Sequence, residues 1–205
     1  MEKQGLFITF EGADGCGKTT QIELLNKYLQ NKGFKTLVTR EPGAKGLGEK
    51  LREILLNYDG EVSPECESFL FLADRAQHVD CIIKPALKNG TIVLCDRHTD
   101  STVAYQGYGR QLDIEQIKKL NNIAVGGLKP DLTIVFDIDI ETSMQRVGST
   151  KDRMESAGVE FFKRVREGFL NIAKEEPSRV KVISSADTIE NIHRQVVKLV
   201  EEKNG

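Results

Sequence analysis

The sequence predicts an α/β fold in which a five-stranded parallel sheet is flanked by helices, giving three layers. Short apolar runs alternate with longer segments whose apolar residues recur at helical spacing, as in proteins built from βα units. The run TIVLC at 91–95 is apolar almost throughout, which is typical of a strand buried on both faces of a parallel sheet. With 205 residues, 39% hydrophobic and 29% charged, the chain is expected to form a single domain, residues 1–205.

Five strands are predicted from short runs rich in β-branched, aromatic and aliphatic residues that end at turn-forming residues. They are residues 6–10, 36–39, 91–95, 132–136 and 180–183. In a parallel sheet covered by helices, ligands bind beyond the carboxyl ends of the strands. Functional residues are therefore expected directly after each strand.

The helices between these strands are predicted from apolar spacing. The first places Ile22, Leu25 and Leu29 on one face and stops at Gly33. The predicted helices are 19–32, 47–56, 64–87, 114–124, 141–147, 160–174 and 189–202. The segment 64–87 is long enough to contain a kink or break near its middle, and the polar, aperiodic residues 148–158 are predicted to form a mobile loop.

Composition and charge exclude several classes of protein. Lysine and arginine number 29 against 31 acidic residues, giving a formal net charge of −2, so a general nucleic-acid binder is disfavoured. No apolar run approaches the roughly 20 residues that span a bilayer, and we expect neither a membrane span nor a secretory signal. The scattered Cys16, Cys66, Cys81 and Cys95 favour a reduced cytoplasm over a disulfide framework or zinc site, with Cys81 and Cys95 buried.

A phosphate-binding loop follows the first predicted strand. Residues 12–19 read GADGCGKT, which matches G-x-x-x-x-G-K-[ST] in full and opens a predicted helix, so a P-loop NTPase fold is expected. Its backbone N–H groups would cradle the phosphates of ATP, with Lys18 at the β- and γ-phosphates. The predicted ATP-binding residues here are Gly12, Ala13, Asp14, Gly15, Cys16, Gly17, Lys18, Thr19 and Thr20.

A metal site is predicted beside this loop. Asp96 follows the buried strand at 91–95, where a P-loop protein holds Mg²⁺ with one carboxylate and the hydroxyl of the loop's last residue, here Thr19. An isolated aspartate after a strand is more often a helix cap. Beside a complete P-loop, a magnesium ligand is the favoured interpretation.

Five strings together resemble the bacterial thymidylate kinases, which phosphorylate dTMP with ATP. They are residues 10–20 (FEGADGCGKTT), 39–43 (TREPG), 71–75 (FLADR), 96–98 (DRH) and 101–107 (STVAYQG). The resemblance runs in order over nearly the whole chain. It implies ATP and dTMP as substrates, no nucleic-acid or membrane partner, and a homodimer packed through helices, with 64–87 as a candidate surface.

The resemblance assigns roles around the acceptor nucleotide. Arg97 is implied to hold the dTMP phosphate and Arg75 to contact the base, and a planar guanidinium suits both tasks. Phe71 is implied to stack on thymine, whereas neighbouring Phe69 is expected in the core. Asp14 is implied to approach the sugar and phosphate of the acceptor.

Further acceptor contacts come from two loops. Thr102 is expected to hydrogen-bond the thymine edge, Ser101 to position its loop, Tyr105 to pack under the sugar, and Gln106 to contact sugar or base. Glu41 and Pro42 match the loop that borders the acceptor phosphate and metal, and the bond between them is open to either isomer.

The lid is predicted at about 147–158. Family members carry a catalytic arginine in the P-loop or in the lid, and this P-loop has Gly15 and Cys16 instead of a cation. The resemblance therefore assigns that role to Arg153 and stacking on adenine to Arg146. Ala44 replaces a usual glycine, and the lid is shorter and less basic than in many relatives, which bears on lid geometry.

Two alternatives remain open from the residues alone. A deoxynucleoside kinase would need a base for a neutral 5′-hydroxyl, whereas Arg97 and the loop at residues 40–43, called the REPG loop, favour a phosphorylated acceptor. A nucleotide-switch regulator would hydrolyse ATP without transfer to a nucleotide. The product of the reaction separates these classes.

Overall fold

A computed structural model describes residues 5–147 and 157–204. Over these residues five strands form one sheet in the order β2-β3-β1-β4-β5, with every neighbouring pair parallel. The strands are β1 (Phe7–Glu11), β2 (Thr36–Arg40), β3 (Ile92–Asp96), β4 (Leu132–Asp137) and β5 (Val180–Ser184). The predicted fold class is confirmed, and each predicted strand is present within two residues of its bounds.

Helices cover both faces of this sheet. They are α1 (Lys18–Asn31), α2 (Leu47–Asn57), α3 (Pro64–His78), α4 (Lys84–Lys88), α5 (Thr99–Thr102), α6 (Ile114–Val125), α7 (Ile140–Val147), α8 (Val159–Glu175) and α9 (Ile189–Asn204). None of the described helices is long and apolar enough to cross a membrane.

The hydrophobic core lies on both faces of the sheet, on either side of the central strand. In β1, Ile8 and Phe10 pack with residues of α1 and α9 on one face, whereas Phe7 packs on the other with Val79 and Val125. Successive side chains of a strand point to opposite faces. The alternation explains why all five residues of this strand are buried.

The sheet register brings the functional ends of the strands together. Phe10 pairs with Asp96 in β3, and Asp96 pairs with Arg40 in β2. The three following loops therefore start at one edge of the sheet, where parallel sheets bind ligands.

The break expected within 64–87 is confirmed, and one further helical segment differs from the prediction. The helix expected over 64–87 is divided, because a π-helical turn at Val79–Ile83 separates α3 from α4. A second π-helical segment, Val103–Gly109, follows α5 where no helix was predicted. Its Gly109 lies so close to α8 that a Cβ would come 2.6 Å from Phe161, so packing rather than local propensity shapes the segment.

Two burial predictions are wrong. Phe69 is 58% exposed, because it lies on the outer face of α3 while Leu72 and Arg75 face inward. Cys81 is exposed as well, since the inner face of the π-helical turn is occupied by Val79 and Ile83. Cys95 is buried as predicted, and all four cysteines are free thiols.

Candidate active site

The P-loop joins β1 to α1 through glycines in left-handed conformations. Gly12 has a φ of 131°, and a Cβ there would lie 2.5 Å from the carbonyl oxygen of Phe136, so only glycine fits. Gly17 caps α1 with a φ of 91°. The helix therefore presents free N–H groups to whatever lies in front of the loop.

Lys18 is folded back over this loop. Its Nζ donates to the carbonyl oxygens of Gly12 at 3.1 Å and Ala13 at 3.0 Å. Ala13 and Cys16 are themselves buried, and Cys16 belongs to the core. These contacts hold a cation at the mouth of the loop, where phosphate oxygens would replace the carbonyls.

A cavity of about 500 Å³ opens in front of the P-loop. Its lining residues are Asp14, Gly15, Gly17, Lys18, Thr19, Thr20, Arg40, Glu41, Arg52, Asp96, Arg97 and Arg146. We call it the donor cavity.

The predicted metal ligands share the donor cavity. Thr19 is exposed at the start of α1, and Asp96 ends β3. Oδ1 of Asp96 is buried and accepts no hydrogen bond from the part of the chain that the structure describes. A buried carboxylate oxygen without a donor is costly unless it meets a cation, so these two oxygens fit Mg²⁺.

A second cavity, of about 100 Å³, adjoins the first. All ten residues predicted to bind dTMP line it: Asp14, Glu41, Pro42, Phe71, Arg75, Arg97, Ser101, Thr102, Tyr105 and Gln106. We call it the acceptor cavity. Arg52 and Leu56 of α2 also line it, and neither was predicted from the sequence. The only sequence signal for Arg52 is its place on the helix that follows the REPG loop.

Arg97 connects the P-loop to the acceptor cavity. It has a φ of 70°, which is uncommon outside glycine and clusters at functional sites. Its Nη2 donates to Oδ1 of Asp14 at 2.8 Å, and its Cζ lies 5.0 Å from the ring centroid of Tyr105. Burial raises the pKa of Asp14, but Arg97 and then Lys18 outweigh burial, so the pKa lies below its usual value.

A buried cluster around Glu41 supports the acceptor cavity. Oε2 of Glu41 accepts from Nε of Arg75 at 2.8 Å, and Oε1 lies 2.9 Å from Nδ1 of both His78 and His98. Burial raises the pKa of Glu41, but His98 and Arg75 outweigh that effect and hold it well below its usual value. The peptide bond between Glu41 and Pro42 is cis.

The side chain of Arg75 is 2% exposed. Besides Glu41, its guanidinium donates to Thr102, Asn121 and the carbonyl oxygen of His98, at 2.7, 2.7 and 2.9 Å. The arginine expected to contact the base is therefore fixed in position by the protein before any ligand enters.

Cys95 lies close to Glu41 and His78, with possible ligand atoms within 4.8 Å of one another. The three do not fit a metal ion. Burial raises the pKa of the Cys95 thiol well above its usual value, and a thiol binds metal as thiolate. His78 also uses its second ring nitrogen, 2.7 Å from Oγ1 of Thr39.

Glu11 lies beside α5, the short helix that carries Ser101 and Thr102. Its carboxylate accepts from the backbone N–H of His98 at 2.8 Å and from the hydroxyl of Ser101. Burial, followed by the neighbouring Asp100, raises the pKa of Glu11 to about 7. This residue positions Ser101 and Thr102 from behind the cavity.

Two aromatic residues line the acceptor cavity. Phe71 is half-buried, which leaves one part of its ring available to a base. Tyr105 is buried against Phe161, Phe162 and Phe169. Its hydroxyl has no hydrogen-bond partner within the described residues, and burial raises the pKa of this phenol.

Of the two arginines predicted to act at the lid, Arg146 is described and Arg153 is not. Arg146 is exposed at the end of α7, and its Nη1 donates to the carbonyl oxygen of Gly15 at 3.3 Å. It lines the donor cavity. Arg153 and most of the predicted lid, 147–158, lie outside the described residues.

Known proteins are similar to this chain in both sequence and fold. A family model described as thymidylate kinase matches residues 10–196. A thymidylate kinase of Pelotomaculum thermopropionicum is 48% identical over 97% of this chain and 94% of its own length. One from a Sulfurihydrogenibium species is 47% identical over 98% of each.

A crystal structure of thymidylate kinase from Ehrlichia chaffeensis matches with a TM-score of 0.81 at 39% identity, over 97% of this chain and 99% of that one. The resemblance carried by the five sequence strings is thereby confirmed. The chain belongs to the thymidylate kinase family.

Proposed function

We propose that this enzyme transfers the γ-phosphoryl group of ATP to dTMP, giving dTDP and ADP for dTTP synthesis. Membership of the family indicates this reaction. One observation supports placing it where the donor and acceptor cavities meet. Four residues line both cavities: Asp14, Glu41, Arg52 and Arg97. Two nucleotides bound on either side of this shared wall would bring their phosphates together, and phosphoryl transfer depends on such positioning.

On the donor side, the P-loop N–H groups and Lys18 bind the β- and γ-phosphates of ATP. Arg146 stacks on or beside the adenine, which its position at the cavity rim supports. Arg153 of the predicted lid completes the cation set as an arginine finger. Its role stays an expectation of the family resemblance.

Thr19 and Asp96 would hold Mg²⁺, which in bound form neutralises charge on the β- and γ-phosphate oxygens. The unpartnered oxygen of Asp96 supports this assignment. Asp14 has a lowered pKa and accepts from Arg97, so it positions the acceptor rather than taking up a proton.

On the acceptor side, Arg97 and Arg52 flank the site for the dTMP phosphate. Nη1 of Arg52 donates to the carbonyl oxygen of Pro42 at 2.9 Å, which fixes this cation beside the REPG loop. Guanidinium groups pair with phosphate through parallel hydrogen bonds. Arg97 was predicted to hold this phosphate, and the hydrogen bond of Arg52 to the REPG loop supports a second cation here.

The deeper part of the acceptor cavity takes the nucleoside. Phe71 stacks on the thymine, while Arg75, Thr102 and Gln106 meet its polar edge. Tyr105 packs under the sugar, and Glu41 with Pro42 forms the wall next to the phosphate. Ser101 fixes α5, the short helix that carries Thr102, through its hydrogen bond to Glu11.

The enzyme is also proposed to be a cytoplasmic, single-domain homodimer. Four free cysteines support a reducing compartment. Exposed large apolar residues on α2, α3 and α6 support self-association, namely Leu47, Ile54, Phe69 and Ile123. These helices pack side by side, and large exposed apolar side chains mark interfaces.

The test is an assay of purified protein with Mg·ATP and separate nucleoside monophosphates and nucleosides, following ADP and phosphorylated product together. We expect rapid dTDP formation from dTMP, lost on chelation of Mg²⁺ and reduced about 100-fold or more by Arg97→Ala. Arg194→Ala on α9, away from both cavities, is the control. Phosphorylation of thymidine would instead support a deoxynucleoside kinase, and ATP hydrolysis alone a regulator. Sedimentation velocity of the same sample measures the dimer.

A further inference from the structure

Gln106 lines the acceptor cavity and is held from behind by Glu67. Nε2 of Gln106 donates to Oε1 of Glu67 at 2.9 Å, and both residues are 1% exposed. Glu67 lies in the first turn of α3 and is not part of the cavity wall. The contact therefore joins a residue that faces ligand to one that does not.

Arg110 holds Glu67 in turn. Its Nε donates to Oε1 and its Nη2 to Oε2 of Glu67, both at 3.1 Å, and its Cζ lies 4.8 Å from the ring centroid of Phe161. A carboxylate paired with an arginine offers only acceptors. The amide of Gln106 is thereby fixed with its nitrogen toward Glu67.

Fixing the nitrogen also fixes the amide oxygen. Within the described residues, Oε1 of Gln106 receives no hydrogen bond, so this acceptor is available to a ligand in the cavity. Arg75 supplies the matching donor: four of its five N–H groups have protein acceptors among the described residues, which leaves one on Nη2. The cavity thus presents a donor and an acceptor on its wall.

We propose that Glu67 is a positioning residue for base selection. By orienting Gln106, it presents an acceptor to the N3–H of thymine beside the donor that Arg75 offers to the 4-carbonyl oxygen. Cytosine has a lone pair at N3 and an amino group at position 4. Its N3 would face the acceptor oxygen of Gln106, and its amino group would face the donor of Arg75. This inference rests on the proposed function.

The substitution Glu67→Gln keeps the shape but lets the Gln106 amide adopt either orientation. We expect kcat/KM for dTMP to fall about 10- to 100-fold, chiefly through KM, because a hydrogen bond in the bound complex is lost. The ratio of kcat/KM for dTMP to that for dCMP is expected to fall about 10-fold. The ratio of dTMP to dUMP is expected to stay within about twofold, since both bases carry the same hydrogen-bonding edge.

Glu65→Gln, at an exposed position in the same turn of α3, is the matched control and should leave all three values unchanged. Gln106→Met removes the amide, and Glu67→Gln in that background should change the dTMP to dCMP ratio no further, because Glu67 acts through Gln106. Where Glu67→Gln does not fold, Glu67→Asp keeps the charge opposite Arg110 and withdraws the acceptor from Gln106.

Several results would overturn the inference. One is an unchanged ratio of kcat/KM for dTMP to that for dCMP in folded Glu67 variants, and another is an unchanged ratio in Gln106→Met. A third is that Glu67→Gln changes this ratio equally in wild type and in Gln106→Met. A wild-type enzyme that does not phosphorylate dTMP would overturn the proposed function instead. The wild-type assay therefore separates the two failures.

Discussion

The acceptor and donor cavities are built in different ways. In the smaller acceptor cavity, Arg75 and Gln106 are almost fully buried and held by Glu41, Thr102 and Glu67. In the larger donor cavity, the proposed binding groups are backbone N–H groups of the P-loop, the buried Lys18, and the exposed side chains of Thr19 and Arg146. One site is fixed by side-chain networks and the other by main-chain geometry.

This difference matches what each ligand requires. One base must be distinguished from others by a few hydrogen bonds, so its partners need fixed orientations. The phosphates of ATP are recognised by charge, and glycine conformations alone direct N–H groups at them. Substitutions on the two sides are therefore expected to fail differently: in rate on the donor side, and in stability or selectivity on the acceptor side.

The largest effect is expected from Lys18→Met. Removing this cation should lower kcat about 10³-fold, roughly 4 kcal/mol, because charge developing on the transferred phosphoryl group loses its partner. The free energy of unfolding should change little, because the hydrogen bonds that Nζ of Lys18 donates to two carbonyl oxygens and Cys16 are offset by the cost of burying its charge. Steady-state kinetics and urea unfolding measure the two quantities.

Lys27→Met, at an exposed position on the same helix, is the control for Lys18→Met. The expected difference between the cavities would be wrong if Lys18→Met kept a near-normal kcat. It would also be wrong if the variant lost as much free energy of unfolding as it lost in activation free energy.

The second effect is a loss of stability in Glu41→Gln. The amide leaves the Arg75 guanidinium buried without a carboxylate, and breaking a buried ion pair from one side costs about 3 kcal/mol or more. The exposed pair of Glu175 and Lys118, at 3.0 Å, provides the comparison. Glu175→Gln is expected to cost less than about 1 kcal/mol.

Urea unfolding at pH 7 measures both variants. Equal losses for Glu41→Gln and Glu175→Gln would mean that the buried cluster does not stabilise the acceptor cavity, and the proposed difference between the two sites would fail.

The P-loop and the strands were predictable because their signals are local. The P-loop glycines take backbone conformations that other residues rarely adopt, and buried parallel strands are apolar on both faces. The division of 64–87 was expected from the length of that segment, but the π-helical segment Val103–Gly109 was missed, because packing against α8 decides it. Phe69 was misplaced because residue type does not tell which face of a surface helix meets a neighbour.

The site could be predicted where motifs carry it and not where contacts cross between elements. All ten predicted acceptor residues line one cavity, whereas Arg52 and Glu67 reach that site from α2 and α3. Glu67 contacts Gln106 across 39 positions of the chain. No spacing rule connects residues so far apart, and only the packing of the helices brings them together.

The smallest effect concerns the ionisation of Asp74, whose Oδ1 accepts from the backbone N–H of Gly43 at 3.1 Å beside the acceptor cavity. Burial, followed by Glu41, raises the pKa of Asp74 from 3.8 to about 6. Between those values the folded state binds more protons than the unfolded chain. The contribution of Asp74 to the free energy of unfolding therefore falls as pH rises from about 4 through 6 and stays low above that.

Asp74→Asn keeps the acceptor for Gly43 and removes the titration. We compare the free energies of unfolding of wild type and variant, and we expect the excess of wild type over the variant to fall by about 1 kcal/mol between pH 4 and pH 8. This is less than the full pKa shift would give, because solvent screens part of the interaction. Glu11, whose pKa burial raises to about 7, is present in both proteins, so its contribution cancels in the difference. Asp80→Asn, at an exposed site, should give a curve parallel to wild type. If the free energy of unfolding of Asp74→Asn also ran parallel to that of wild type against pH, holding the REPG loop with a buried carboxylate would carry no electrostatic cost. The acceptor cavity would then show one constraint fewer relative to the donor cavity.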